Sequence, residues 1–296
     1  VERRRATHLV ETDWLEEHWS DPLVRIVDMR GVVRTRTEES GFQTATYLGA
    51  QDEYAAGHLP GAVYLDWTHD LVDENDPVPA QVASAEKLAR VLGGRGIGDE
   101  HRVIAYDDHP ASQFATRLWW VLRYYGHDNC RVLNGGWAKW TREGRPVTTE
   151  VPSFPPAVLT PKVRAEWRKT AEEVRDGIGR PEVVLVDARD EAQYTGRVRR
   201  GIRGGHIPGA IHLPRERLVR EDGTFESADA LLDVAKEAGV EPEREVVAYC
   251  NGGVAATSVL FALSMVGYAR LGNYDGSWNE WNRREDLPVE TGPGSG

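Results

Sequence analysis

Gly57-His58-Leu59-Pro60-Gly61-Ala62 returns later in the chain as Gly205-His206-Ile207-Pro208-Gly209-Ala210. The two stretches agree almost letter for letter, each a Pro-Gly turn running into apolar residues, and mark an internal duplication. Three further anchors recur around this one in the same order. Val24-Arg25-Ile26-Val27-Asp28-Met29-Arg30 returns as Val184-Leu185-Val186-Asp187-Ala188-Arg189, an apolar run that exits through Asp-x-Arg. Arg102-Val103-Ile104-Ala105-Tyr106-Asp107 pairs with Glu245-Val246-Val247-Ala248-Tyr249-Cys250. Gly135-Gly136-Trp137-Ala138-Lys139-Trp140 pairs with Gly276-Ser277-Trp278-Asn279-Glu280-Trp281. The displacement falls from 159 residues at the first anchor to 141 at the last, as when a second copy has lost loop residues.

The Asp-x-Arg and Tyr-Asp/Tyr-Cys anchors read as short buried strands with polar exits. Between strands lie stretches read as amphipathic helices: Ser84 to Leu92, Phe114 to Tyr125, Asp229 to Ala238 and Val254 to Met265. This alternation predicts an α/β protein of two tandem domains, each a mainly parallel sheet flanked by helices. Pro146, Pro152, Pro155, Pro156 and Pro161 exclude a helix between the halves and favour an extended connector. The expected division is residues 1–145, a Pro-rich linker over 146–162, and 163–296. Parallel sheets bind ligands beyond the carboxyl ends of their strands, which directs attention to the loops after Asp28, Asp187, Asp107 and Cys250.

The 296 residues fit two domains at roughly 150 residues each. With 36 basic and 47 acidic side chains the net charge is −11, which repels polyphosphate backbones and argues against nucleic acid as a partner. The longest mainly apolar stretch, Val254 to Val266, is shorter than the roughly 20 residues of a membrane span, so no membrane partner is expected. Val1 to His8 is basic but has no apolar core behind it, so it does not read as a secretory signal, and a cytoplasmic protein is expected. Two cysteines, Cys130 and Cys250, supply neither a disulfide framework nor a Cys-rich zinc site, and the nine histidines lack metal-site spacing. No metal and no cofactor is expected.

The chemistry concentrates at Tyr249-Cys250-Asn251-Gly252-Gly253-Val254-Ala255, where a strand delivers a cysteine into a Gly-containing loop that opens a helix. Small loop residues let backbone N–H groups turn inward as an anion nest, and the helix aims its positive end at the sulfur. Both effects favour thiolate over thiol and make Cys250 a candidate nucleophile. A buried structural cysteine is the alternative reading, and the one taken for Cys130, at the start of a strand.

These motifs resemble the tandem-domain rhodaneses, the thiosulfate and 3-mercaptopyruvate sulfurtransferases. The likeness covers nearly the whole chain and rests on the Asp-x-Arg strand ends, the paired Gly-His-x-Pro-Gly-Ala segments, the Cys250 loop and the Gly-x-Trp-x-x-Trp ends. It implies a catalytic second domain and a first domain whose nucleophile is replaced, here by Asp107, and which walls the cleft without cradling an anion of its own. It further implies that Cys250 takes a sulfane sulfur from a small anionic donor and passes it to cyanide or a thiol acceptor such as a thioredoxin-like protein. Loop residues Asn251, Gly252, Gly253, Val254 and Ala255 would hold the persulfide, and Arg189 and Arg199 the donor, with Arg199 drawn from the cluster Arg197, Arg199, Arg200, Arg203. Where relatives often place another arginine four residues after Asp-x-Arg, this chain has Gln193. The cation-free loop Asn251-Gly252-Gly253 points to mercaptopyruvate and Gln193 away from it, which leaves the donor open. His58 reads as part of a turn, and the tryptophan pairs as core caps. A phosphatase would need an arginine six residues after the cysteine, where Ala256 stands. A persulfide carrier or redox sensor acting on a protein partner remains the alternative to a turning-over enzyme.

Overall fold

The computed structural model describes residue 5 and residues 7–294. Among them the first half forms β1 (Leu9–Val10), β2 (Val24–Asp28), β3 (Gly31–Thr37), β4 (Gln43–Gly49), β5 (Ala62–Tyr64), β6 (Arg102–Tyr106) and β7 (Cys130–Leu133). The second forms β8 (Arg168–Lys169), β9 (Val183–Asp187), β10 (Ile211–His212), β11 (Glu245–Tyr249) and β12 (Leu271–Tyr274). The two main sheets have the same order, β1-β7-β6-β2-β5 and β8-β12-β11-β9-β10, and every pairing in them is parallel. Four longer helices flank them: α1 (Ala85–Gly94), α2 (Gln113–Tyr124), α3 (Ala228–Glu237) and α4 (Ala256–Met265). Duplication extends to the caps, because Ser84 Oγ accepts from Lys87 N and Ser227 Oγ from Ala230 N at the starts of α1 and α3, both at 3.2 Å.

Alternation along the strands divides the core. Ile104 and Tyr106 of β6 face an outer cluster with Trp140, while Val103 and Ala105 face inward. In β11, Val247 and Tyr249 likewise face an outer cluster with Trp278 and Trp281, while Val246 and Ala248 face inward. The inward faces share one core that crosses between the halves, with Phe114 and Leu118 to Leu122 of α2 in the same cluster as Val259 to Leu263 of α4. Here the expectation of amphipathic helices over 114–125 and 254–265 is corrected. Both are buried on nearly all sides, because each lies between its own sheet and the other half's helix. Thr116 Oγ1 and Thr257 Oγ1 meet across this contact at 2.9 Å.

The proline-rich stretch lies extended along the first half, paired to it through Thr148 with His58, Ala157 N to Gly93 O, Asp99 N to Val158 O and Lys162 N to Tyr125 O. The antiparallel hairpin β3–β4 belongs to the first half alone. It accounts for the longer spacing from Asp28 to His58 than from Asp187 to His206. The hairpin crosses to the second half, where Phe42 pairs with Arg199. Among the described residues no helix is long and apolar enough to cross a membrane.

Candidate functional site

Parallel pairing of β9 and β11 sets Asp187 opposite Tyr249, so the Asp-x-Arg loop and the cysteine loop leave the sheet side by side. Cys250 N donates to Ser277 Oγ at 3.1 Å, and Cys250 O and Asn251 O accept from Trp278 N at 3.0 Å and Asn279 N at 2.8 Å. Gly253 O accepts from Asn273 Nδ2 at 2.9 Å and from Arg117 Nη1 of the first half at 3.1 Å. Carbonyls tied down on one side leave the amides, which oppose them across each planar peptide, free to face the other. Among the described residues the amides of Asn251 to Ala255 make no hydrogen bond to a protein acceptor. Unpaired amides of this kind, followed by the positive end of α4, are chemically suited to an anion held on or against Cys250.

Cys250 is 4% exposed and lines a cavity of about 420 Å³ between the halves. Asn251, Gly252, Val254, Ala255 and Arg189 line it too, whereas Gly253 sits behind the wall with its carbonyl engaged. From the first half come Gln43 and Tyr47 of the hairpin, Trp67, and the loop and helix residues His109, Gln113 and Phe114.

Arg189 is held as a framework residue. Its Nε and Nη2 bond both oxygens of Asp187 at 2.6–3.1 Å, Nη2 also reaches Gly205 O at 2.7 Å, and the guanidinium lies 4.4 Å from the Trp278 ring. Burial works against this charge, but Asp187 outweighs it and holds Arg189 above the ordinary arginine value. Arg30 repeats the arrangement with Asp28, Gly57 O and Trp137.

Arg199 requires a correction. It is exposed, lies 5.7 Å from the Phe42 ring and does not line the cavity; Arg200 does. The bridge between Phe42 and Arg199 fixes the register, and alternation along extended chain then turns Arg199 out and Arg200 in. Arg200 Nη2 donates to Gln43 Oε1 at 2.8 Å. Of the rest of the cluster, Arg197 is exposed and Arg203 donates to the carbonyls of Trp281, Asn282, Arg284 and Leu287. Gln193 joins the halves, accepting from Asn251 Nδ2 at 2.8 Å and donating to Gln43 Oε1 at 3.2 Å.

Sequence reasoning missed two further cavity residues, Arg215 and His109. Burial, with Arg215 beside it, lowers His109 to about 4, so the imidazole is neutral at pH 7. Its Nδ1 takes Ala111 N at 3.1 Å, which assigns the ring proton to Nε2. No linear motif marks either residue. The unequal spacing before His58 and His206 was the available signal for the hairpin.

The amides of the matching loop in the first half are already engaged. Asp107 Oδ2 accepts from Phe114 N at 2.8 Å and Ala115 N at 2.9 Å, and Oδ1 from His109 N at 3.0 Å, so the loop closes on its own carboxyl group. His58 and His206 each stack on a tyrosine at 3.9 Å and use Nδ1 on that tyrosine's carbonyl, as turn-holding residues do. Cys130 is fully buried, and burial pushes its thiol far up. Among the described residues no group of His, Cys, Asp or Glu is arranged to hold a metal ion.

Fold and site together define a duplicated α/β protein with one cysteine at the open end of a loop of unpaired amides. A model of the rhodanese-like domain matches residues 11–143 and 170–284. The chain is 34% identical over 301 residues to the "Sulfur carrier protein TtuD" of Thermus thermophilus, covering 96% of each. It is 32% identical over 288 residues to the 3-mercaptopyruvate sulfurtransferase of Escherichia coli, covering 96% of this chain and 98% of that protein. The crystal structure of SseA from Escherichia coli, described as a 3-mercaptopyruvate sulfotransferase, superposes with a TM-score of 0.80 at 30% identity, covering 92% of this chain and 99% of that one. The chain belongs to the rhodanese sulfurtransferase family, as a tandem of two such domains.

Proposed function

We propose that this protein moves a sulfane sulfur from a small anionic donor, 3-mercaptopyruvate or thiosulfate, through a persulfide on Cys250 to cyanide or a thiol. The observation that carries this reading is Cys250 lining a cavity under a loop whose amides have no protein acceptor among the described residues. In the first step the Cys250 thiolate attacks the donor's outer sulfur. An S–S bond forms to Cys250, and the leaving group departs with the electron pair of its bond to that sulfur, as sulfite from thiosulfate or as pyruvate enolate from mercaptopyruvate, which water protonates. In the second step the acceptor attacks the outer sulfur and Cys250 leaves as thiolate. The loop amides stabilise the anionic persulfide between the steps.

Arg200 and Arg215 supply charge for the donor. The Nε atoms of both are buried without a partner among the described residues, the condition under which an anion is recognised by charge-assisted bonds. Arg189 adds its field from behind, while Asn251-Gly252-Gly253 and Gln193 present neutral groups, so selectivity among anions falls to the two wall arginines. In this assignment 163–296 is the sulfur-carrying half, 146–162 the linker, and 1–145 supplies the facing wall.

A second reading, a sulfur carrier that hands its persulfide to a protein, is favoured by the likeness to the Thermus thermophilus carrier. One experiment separates the two. The protein is incubated with each donor, its intact mass followed, and thiocyanate formation from cyanide timed, with Cys250→Ser as control. Gain of one sulfur on Cys250 with many turnovers is expected. Gain without turnover selects the carrier, and sulfur uptake by Cys250→Ser refutes both.

A further inference from the structure

Arg117 stands in the middle of α2, in the half that lacks the nucleophile, and its guanidinium is buried across the interface. Nη1 donates to Asp275 Oδ1 at 2.6 Å and to Gly253 O at 3.1 Å, and Nη2 to Ala80 O at 2.9 Å, with the Trp120 ring 4.6 Å from the guanidinium carbon. Asp275 is equally buried. Its Oδ2 accepts from Val82 N at 2.8 Å and faces Arg168 Nε at 3.5 Å, and its backbone carbonyl takes Gln81 Nε2 at 3.0 Å. Burying an ion pair of this kind is a weak source of stability, because desolvation opposes the attraction. Its placement calls for another account.

Duplication supplies one. At the displacement of 141 residues set by the anchor that follows these helices, Thr116 matches Thr257, which it meets at 2.9 Å, and Arg117 matches Ser258. Each reaches the other half's loop: Ser258 Oγ donates to Ala111 O at 2.8 Å, beside Asp107's closed nest, while Arg117 grips Gly253 O in the open one. The hydroxyl serves the inert loop and the guanidinium the loop that carries the cysteine. Gly253 itself has φ +71°, and a Cβ there would stand 2.7 Å from Asp275 O, so the peptide is seated against the ion pair. Ala80, at the cavity edge, is a left-handed alanine with φ 66°, a local strain held in place by the same guanidinium.

We propose that Arg117 is a positioning residue for the persulfide loop. By drawing the Gly253 carbonyl away from the cavity it turns the Val254 N–H, on the opposite edge of the same planar peptide, toward the Cys250 sulfur. The first half thus aims a donor at the reacting atom as well as walling the cleft. This inference rests on Cys250 being the nucleophile.

The test compares wild type with Arg117→Ala and with the double variant Arg117→Met/Asp275→Asn, which removes the clamp without leaving a buried unpaired charge. Three readouts are taken: Tm, the pH midpoint of Cys250 alkylation by iodoacetamide read on the Cys250 peptide, and kcat and KM for sulfur transfer to cyanide. In the double variant the alkylation midpoint is expected to move up, and kcat to fall about tenfold to a hundredfold with little change in KM. Arg117→Lys, which keeps a cation for Asp275, should recover part of both. A folded double variant with the wild-type midpoint and kcat overturns the proposal, as does a kcat loss that only follows Tm while the midpoint stays fixed. If wild type itself takes up no sulfur, the functional reading fails, but the alkylation midpoint still tests the clamp.

Discussion

The loops that follow β6 and β11 leave the same scaffold and reach opposite states. In both, the strand ends in a buried tyrosine, and the next carbonyl accepts a tryptophan N–H, Asp107 O from Trp137 at 2.9 Å and Cys250 O from Trp278 at 3.0 Å. In both, the residue before that tryptophan is left-handed with φ 50°, Gly136 in one half and Ser277 in the other. The Asp107 carboxyl group then takes the amides of its own helix start, whereas the amides around Cys250 find no protein acceptor among the described residues. The loop amides are therefore satisfied from within in one half and left without a protein acceptor among the described residues in the other, and the Asp107 side chain is what satisfies them. The strongest test copies the closed state. Cys250→Asp should fold, with its carboxylate on the loop amides, and show no sulfur uptake and transfer at background. Residual turnover would place the reacting sulfur elsewhere.

The Asp-x-Arg pairs test how far the likeness of the halves extends. Arg30 and Arg189 make matching bonds, and removing one partner of a buried pair typically costs about 3–5 kcal/mol. Arg30→Ala and Arg189→Ala should lose similar stability in urea unfolding. A KM increase confined to Arg189→Ala would measure its separate share in holding the donor.

Asp107 gives a smaller effect, legible in pH. Burial raises its carboxyl from 3.8 to about 7, with Asp108 adding to the rise and the loop amides opposing it. The folded protein keeps this proton up to about pH 7, while the unfolded chain releases it above about pH 4. Between those values the folded state binds more protons, so this group's contribution falls as pH rises, by up to ~1.4 kcal/mol per pH unit, and is level above the window. His109, lowered to about 4, acts in the opposite direction over much of the range. The difference between wild type and Asp107→Asn therefore isolates Asp107. Tm of wild type relative to the variant should decline from pH 4 toward pH 7, and parallel profiles would show that the carboxyl is ionised throughout.

What the sequence made legible was what repeats or is local. Four anchors implied two similar sheets, and the sheets do share one strand order. The cysteine loop was legible because strand, small residues and helix start are contiguous in the chain. What lay hidden depends on contacts between halves. The helices read over 114–125 and 254–265 looked amphipathic singly because neither sequence shows that the other covers it. That Asp107 closes its own loop was hidden because its bonds to Phe114 and Ala115 arise only in the folded loop. The wall arginine was misplaced by one residue because a bridge to Phe42, distant in sequence, sets the register.

That one-residue shift yields the finest test of which loop the donor visits. If the open amides beside Cys250 receive an anion from solution, the charge that recruits it must face the cavity, as Arg200 does and Arg199 does not. Arg200 is partly buried, and burial lowers it from the ordinary arginine value without a carboxylate bonded to it, so its charge remains available to a donor. Losing one charge-assisted bond typically costs about 1.5–3 kcal/mol, so Arg200→Ala should raise KM for an anionic donor about tenfold or more with kcat less affected. Arg199→Ala, removing a solvated side chain stacked near Phe42, should change KM less than about twofold. Salt should weaken donor binding in wild type more than in Arg200→Ala, since the screened attraction is the one removed. Equal KM effects from the two substitutions would mean the bridge does not hold its register in solution, and the hairpin would then no longer explain which arginine faces Cys250.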